Sequence, residues 1–111
     1  MGANRRYPDL SAQRAQEKAL REARTSGPLH TLTDDQLRLH STVLSIAPER
    51  PALWGLAWVR FGDVDVRCVV RLRRWTSAAV GVEIDVDGDV LRCWVWRGAV
   101  DRLGAREDAW R

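Results

Sequence analysis

All but one of the 18 basic residues in this 111-residue chain are arginine, and six further residues are tryptophan. Indole faces stack on nucleobases, and guanidinium groups meet phosphates or carboxylates. Both residue types also dominate the hot spots of protein interfaces. From residue 54 onward they recur at intervals that a folded sheet can gather: Trp54, then Arg71, Arg73 and Arg74, then Trp94 and Trp96. These six are the candidate binding residues.

Other chemistry is sparse. His30 and His40 are the only histidines, and neither stands in a Cys or His cluster with metal-ligand spacing. No nucleophile elbow, phosphate-binding glycine loop or dinucleotide fingerprint occurs. The aspartates at 63, 65, 85, 87 and 89 fall at expected exposed turns, which does not indicate general acid–base work. Asp85-Val86-Asp87-Gly88-Asp89 resembles the start of a calcium loop, but Trp96 occupies the position that needs a bidentate glutamate. Cys68 and Cys93 are expected on strands separated by a third, so roughly 9–10 Å lies between them, beyond disulfide reach. The expectation is a protein that is not an enzyme, with no cofactor, no metal and two buried free thiols.

Composition narrows the class further. With 45% hydrophobic and 30% charged residues, the chain has the balance of a globular domain with one modest core. No apolar run approaches the roughly 18 residues of a membrane-spanning helix. Arg5-Arg6 is followed by Tyr7-Pro8-Asp9 where a signal peptide needs an apolar stretch, which points to a cytoplasmic protein without membrane contact. The net charge of +3 is concentrated in residues 1–30, with six basic and three acidic groups. Residues 55–111 are almost neutral, with ten basic and nine acidic groups. The dominance of arginine over lysine matches GC-rich codon usage and is weak evidence for a polyanion partner. Arg5, Arg6, Arg14, Lys18, Arg21 and Arg24 offer a non-specific electrostatic grip, offset by Glu17 and Glu22.

Four zones must position the candidate residues. Residues 1–30 form an arm with one helix over about 11–24, rich in Ala, Gln, Glu and Arg. Leu10 and Leu20 are its only large apolar residues, so it is expected to stay exposed. Residues 31–52 hold a short helix and a Pro-containing connector. Thr33 and Gln36 make a capping box, flanked by Leu32 and Leu37 as a hydrophobic staple. Residues 53–103 read as an antiparallel β-meander with strands at 54–61, 64–73, 78–86 and 89–97, plus a closing piece at 99–103. Residues 104–111 form a charged tail in which Trp110 has no assigned role.

The turns set the register. Asp87-Gly88 and Gly62-Asp63 are two-residue hairpin signals. They pair Ile84 with Leu91 and Val59 with Val66, and set Arg60 opposite Asp65 and Trp58 opposite Arg67. The middle pair of strands is expected to turn through Trp75-Thr76-Ser77, which places Arg67 opposite Asp85. The outer face then has rows Trp54, Arg71, Gly81, Trp94 and Arg73, Ala79, Trp96, leaving a low floor between arginines and tryptophans. One end of the sheet is basic and aromatic, the other acidic. The first and fourth strands carry few edge-protecting charges, so pairing with a second copy is open.

The expected fold is mainly β with an N-terminal helical arm, an α+β arrangement in which four to five strands form an SH3-like or Tudor-like small barrel or a bent sheet. Arg5-Arg6-Tyr7-Pro8, Trp58-Val59-Arg60, Ala79-Val80-Gly81-Val82-Glu83 and Trp94-Val95-Trp96 together resemble short uncharacterised proteins of high-GC Gram-positive bacteria. That resemblance implies no activity. Three readings of the tryptophan face follow: the apolar residues of 32–46 cover it, a protein partner docks on it, or single-stranded nucleic acid stacks on it. The leading expectation is a small binding or adaptor module with an unidentified protein partner, with nucleic acid as the alternative.

Overall fold

The computed structural model describes residues 8–110, so Arg5, Arg6 and Tyr7 of the arm and of the resemblance pattern lie outside it. Helix α1 spans Pro8–Arg24, and the single turn α2 spans Asp34–Leu37. The strands are β1 (Ser45–Ile46), β2 (Leu53–Phe61), β3 (Val64–Trp75), β4 (Ala79–Val86), β5 (Asp89–Trp96) and β6 (Val100–Leu103). All pair antiparallel in the order β5-β4-β3-β2-β6, with β1 added to β3. The sheet thus has six strands rather than four or five, and no ladder joins β5 to β6 to close a barrel.

Both expected hairpins form. Asp87 and Gly88 take φ of 53° and 87°, the left-handed pair of a tight turn whose twist matches the strands. Val86 faces Asp89 and Ile84 faces Leu91, while Val59 faces Val66 and Trp58 faces Arg67. The alternation puts Ala57, Val59, Cys68, Val70, Val82, Ile84 and Cys93 into one buried cluster.

The middle ladder differs from the expected one. Arg71 pairs with Glu83 and Leu72 with Val82, a shift of two residues that keeps the core on the same face. A bulge between Leu72 and Arg74 then changes the phase, so Arg74 faces Gly81 and Trp75 faces Val80. Electrostatics and packing explain both changes. The shift lays Arg71 beside two carboxylates, and the bulge keeps Arg74 exposed while Trp75 packs against the core. Thr76 ends β3 by accepting the backbone N–H groups of Ala78 and Ala79 through Oγ1. Asp85 consequently lies next to Arg71, and the expected separation of a basic end from an acidic one does not hold at that point.

Helix α1 is not an exposed arm. The β3–β4 ladder covers only Arg71–Trp75, so the rest of β3 lacks a strand neighbour on that side. The helix takes that place. Leu20 is 1% exposed within the main core, joined by Ala23. Gln16 Oε1 accepts the backbone N–H of Val69 at 2.9 Å, satisfying a donor that the ladder leaves free. At its C-terminal end Arg24 reaches Asp89 at 2.9 Å, where a cation also suits the helix dipole. Two inward residues on one face, Leu20 and Ala23, were too weak a periodic signal to reveal this burial.

The chain after α1 ties the hairpins together. Gly62, at φ 58°, lies so close to the Ser26 carbonyl that a Cβ would collide with it. The Gly62 N–H donates to Pro28 O, and His30 N–H donates to Arg60 O. Two residues later Leu32 N–H donates to Trp94 O, and Thr31 Oγ1 accepts from Trp94 N–H. Residues 28–32 therefore form a strap from the end of β2 to the edge of β5. The capping box of α2 follows directly: Thr33 Oγ1 accepts from Gln36 N–H, and Gln36 Oε1 accepts from Thr33 N–H. Arg38, at φ 51°, ends that turn.

Candidate functional site

The six candidate residues do not form one surface. They fall into three neighbouring places on the outer side of the sheet, set by the β3–β4 register.

Trp54 and Arg71 face each other across β2 and β3, as their alternation requires. The Arg71 guanidinium lies 5.8 Å from the Trp54 ring centre, within cation–π range. Arg106, from the 3-10 turn Arg106–Trp110, lies equally near Trp54 and 5.9 Å from Trp110. The tail thus folds over Trp54, which is half-buried. Trp110 is the residue that finds a structural place without any advance signal in spacing or periodicity.

Each nitrogen of the Arg71 guanidinium meets a carboxylate oxygen. It donates to both oxygens of Asp85, at 2.6 and 2.7 Å, and to Glu83 Oε1 at 3.2 Å. Glu83 also receives Arg92 Nε at 2.8 Å and has Arg73 Nε at 4.0 Å. The Asp85 hydrogen bond is the main reason Arg71 holds its proton even more firmly than usual. Burial alone raises the pKa of Glu83, but the hydrogen bonds from Arg92 and Arg71 prevail and keep it below its ordinary value. Asp85 is lowered chiefly by its bond from Arg71. This cluster is a set of mutually satisfied ion pairs, with Arg71 committed to carboxylates rather than to an external phosphate.

Arg73, Arg74 and Trp94 share a groove of about 540 Å³. Gly81 forms its floor, where a Cβ would stand 3.3 Å from the Trp94 ring. The connector contributes Ile46 and Glu49, and β5 contributes Arg92. Arg73 donates at 3.4 Å to Pro48 O, while Arg74 is exposed and has no side-chain partner among the described residues. The low floor between arginine and tryptophan is present, with Arg74 in the place expected for Arg71.

Trp96 lies across the strap, in a concavity of about 350 Å³ shared with Trp94, Trp58, His30 and Leu32. Trp58 is 53% exposed and Trp96 is 47% exposed. Trp58 stands opposite Arg67 as the hairpin register requires, and the Arg67 guanidinium pairs with Asp101. The period-2 alternation of Trp58 with Trp54 already sets it on the outer face; what the sequence does not show is that Trp96 lies beside it. The apolar residues of 32–46 cover little of it: Leu37 is buried, but Leu39, Val43 and Ile46 are themselves exposed.

The remaining reactive groups are withdrawn from solvent. Burial pushes the Cys68 thiol up to about 12, with Cys93 adding to the effect, and pushes Cys93 up to about 11. Both are free and buried. Among the described residues no group of three His, Cys, Asp or Glu side chains is placed to hold a metal ion, and no helix is long and apolar enough to cross a membrane. Comparison with protein-family models, curated proteins and solved structures yields no match.

Proposed function

We propose that this chain is a non-enzymatic binding module of the cytoplasm that docks a protein partner through the face formed by Trp58, Trp94 and Trp96. The observation that carries the reading is the pair of half-exposed indoles, Trp58 and Trp96, on either side of a shared concavity. Large aromatic side chains lose little conformational freedom on docking and contribute strongly when a partner excludes water from them. Arg74 and Arg73 in the adjoining groove add directional donors for carboxylates at the rim. Two observations favour protein over single-stranded nucleic acid. Arg71 is committed to Asp85 and Glu83, and Glu83 and Glu49 add negative charge beside the groove. The absence of catalysis is supported by ion-paired carboxylates and buried, proton-holding thiols, neither of which suits proton transfer or nucleophilic attack near neutrality. Unpaired buried thiols also suit a reducing compartment.

The test is capture of partners from an extract of the source cells on the immobilised full chain, with the captured protein identified and its affinity measured. The reading expects binding that survives high salt, is lost in Trp58→Ala/Trp96→Ala, and is accompanied by weak binding of a labelled oligothymidylate. Oligonucleotide binding that falls steeply with salt and disappears in Arg73→Ala/Arg74→Ala would overturn it in favour of nucleic acid. Capture unaffected by loss of both indoles would overturn it as well.

A further inference from the structure

We infer that a second pocket, at the open end of the core beside the β5–β6 connection, binds a carboxylate carried on one compact apolar group. Its lining is Leu53, Leu72, Trp75, Val80 and Val100, with Arg97 and Arg102 beside them, and its volume is about 180 Å³. An apolar cavity of roughly 150 Å³ accepts a benzene ring. The space is thus suited to one aryl ring or one branched side chain, and is smaller than the sites that hold drug-sized ligands.

The placement of the arginines gives the pocket its chemistry. Val100 pairs with Ala57 and Arg102 with Gly55, so strand alternation sets Arg102 on the core side of β6, in line with Val100. Gly55 lets β6 and the lining side chains sit close to β2: a Cβ there would press on Asp101 O, Leu72 and Val100 at 3.1, 3.1 and 3.2 Å. Arg97 opens the 3-10 turn that joins β5 to β6, anchored by its N–H donating to Ala78 O. Neither guanidinium has an ion-pair or hydrogen-bond partner among the described residues, unlike Arg60, Arg67, Arg71 and Arg92. Two uncompensated cations next to an apolar recess complement an anion attached to an apolar group, and the planar guanidinium fork favours a carboxylate. Both arginines are exposed at the pocket mouth, and a charge on an edge strand also discourages strand pairing between copies, so the test must separate that role.

Two sources present this chemistry: a free aryl-alkanoic acid, and the last residue of a chain ending in an apolar side chain. Saturation-transfer NMR and titration of the full chain with 3-phenylpropionate, with N-acetyl-Gly-Gly-Phe, and with the carboxamide of each distinguish them. At least one acid binds and its carboxamide does not, and the tighter acid identifies the source. Arg97→Gln/Arg102→Gln retains the wild-type melting curve and weakens the bound acid about tenfold or more. Binding of neither acid, equal binding of acid and carboxamide, or unchanged affinity in the double variant overturns the assignment. In the last case self-association of the variant would assign the arginines to edge protection. This pocket is separate from the tryptophan face, so either reading can fail alone.

Discussion

Replacing Leu20 by Ala tests whether α1 belongs to the core. Leu20 is 1% exposed and packs in the same cluster as Phe61, Ile84 and Val86. Truncating it removes three carbons from a site walled by the sheet, which cannot collapse fully onto the space. Such substitutions cost about 3 kcal/mol, combining lost burial with the cavity left behind. The gain in helix propensity from Leu to Ala is only tenths of that. At about 4 °C per kcal/mol for a domain of this size, the melting temperature should fall by roughly 12 °C. Leu10→Ala, on the same helix but 43% exposed, is the control and should change stability by less than about 0.5 kcal/mol. Chemical and thermal unfolding followed by circular dichroism provides both values. Equal, small effects from the two substitutions would refute the placement of α1 against the sheet.

Further expectations concern charge, backbone and thiols. Arg71→Ala strips Asp85 of its bidentate partner and Glu83 of one of its donors, at a cost of about 1–3 kcal/mol near neutral pH. Because both carboxylates are lowered in the folded state, their contribution is complete above the ordinary values of 4.5 and 3.8. It is lost as pH falls through the folded values, so the gap between wild type and Arg71→Ala should narrow in acid urea titrations; a constant gap would contradict the pairing. Gly62→Ala places a side chain against Ser26 O at a positive φ and should destabilise by more than about 1 kcal/mol in denaturant melts. A neutral effect would mean the chain after α1 does not pass so near the first hairpin. Cys68 is fully buried and burial pushes its thiol up to about 12, so it should react with a thiol reagent far more slowly in the native protein than in the unfolded chain. Rapid labelling of the native protein would show that the core opens readily.

Much of the fold was legible because its signals were local. Asp87-Gly88 and Gly62-Asp63 specify tight turns, and a turn of fixed length leaves only one register that buries the apolar face. Thr33 and Gln36 announced a capping box for the same reason. The β3–β4 connection carried no such signal. A two-residue shift preserves the core face, so hydrophobic alternation cannot reject it; the ion pairs of Arg71 with Glu83 and Asp85 favour the observed choice. The bulge at Arg73 was equally silent, because it trades one extra residue for an exposed Arg74 and a packed Trp75. Those two features moved Arg71 out of the groove and split the six candidate residues among three places. Trp110 and the strap at 28–32 depend on contacts between distant segments, which periodicity does not encode.

The proposed docking face requires that Trp58 and Trp96 stand open to water in the free protein. Acrylamide quenching of indole emission should be compared for wild type and Trp58→Phe/Trp96→Phe, in the full chain without partner. Trp58 and Trp96 are the two most exposed indoles among the described residues. Red-shifted, readily quenched emission is expected in wild type, and most of it should disappear in the double variant. Quenchable emission that persists unchanged would mean these two indoles are already covered, and the proposed binding surface would be part of the protein's own packing.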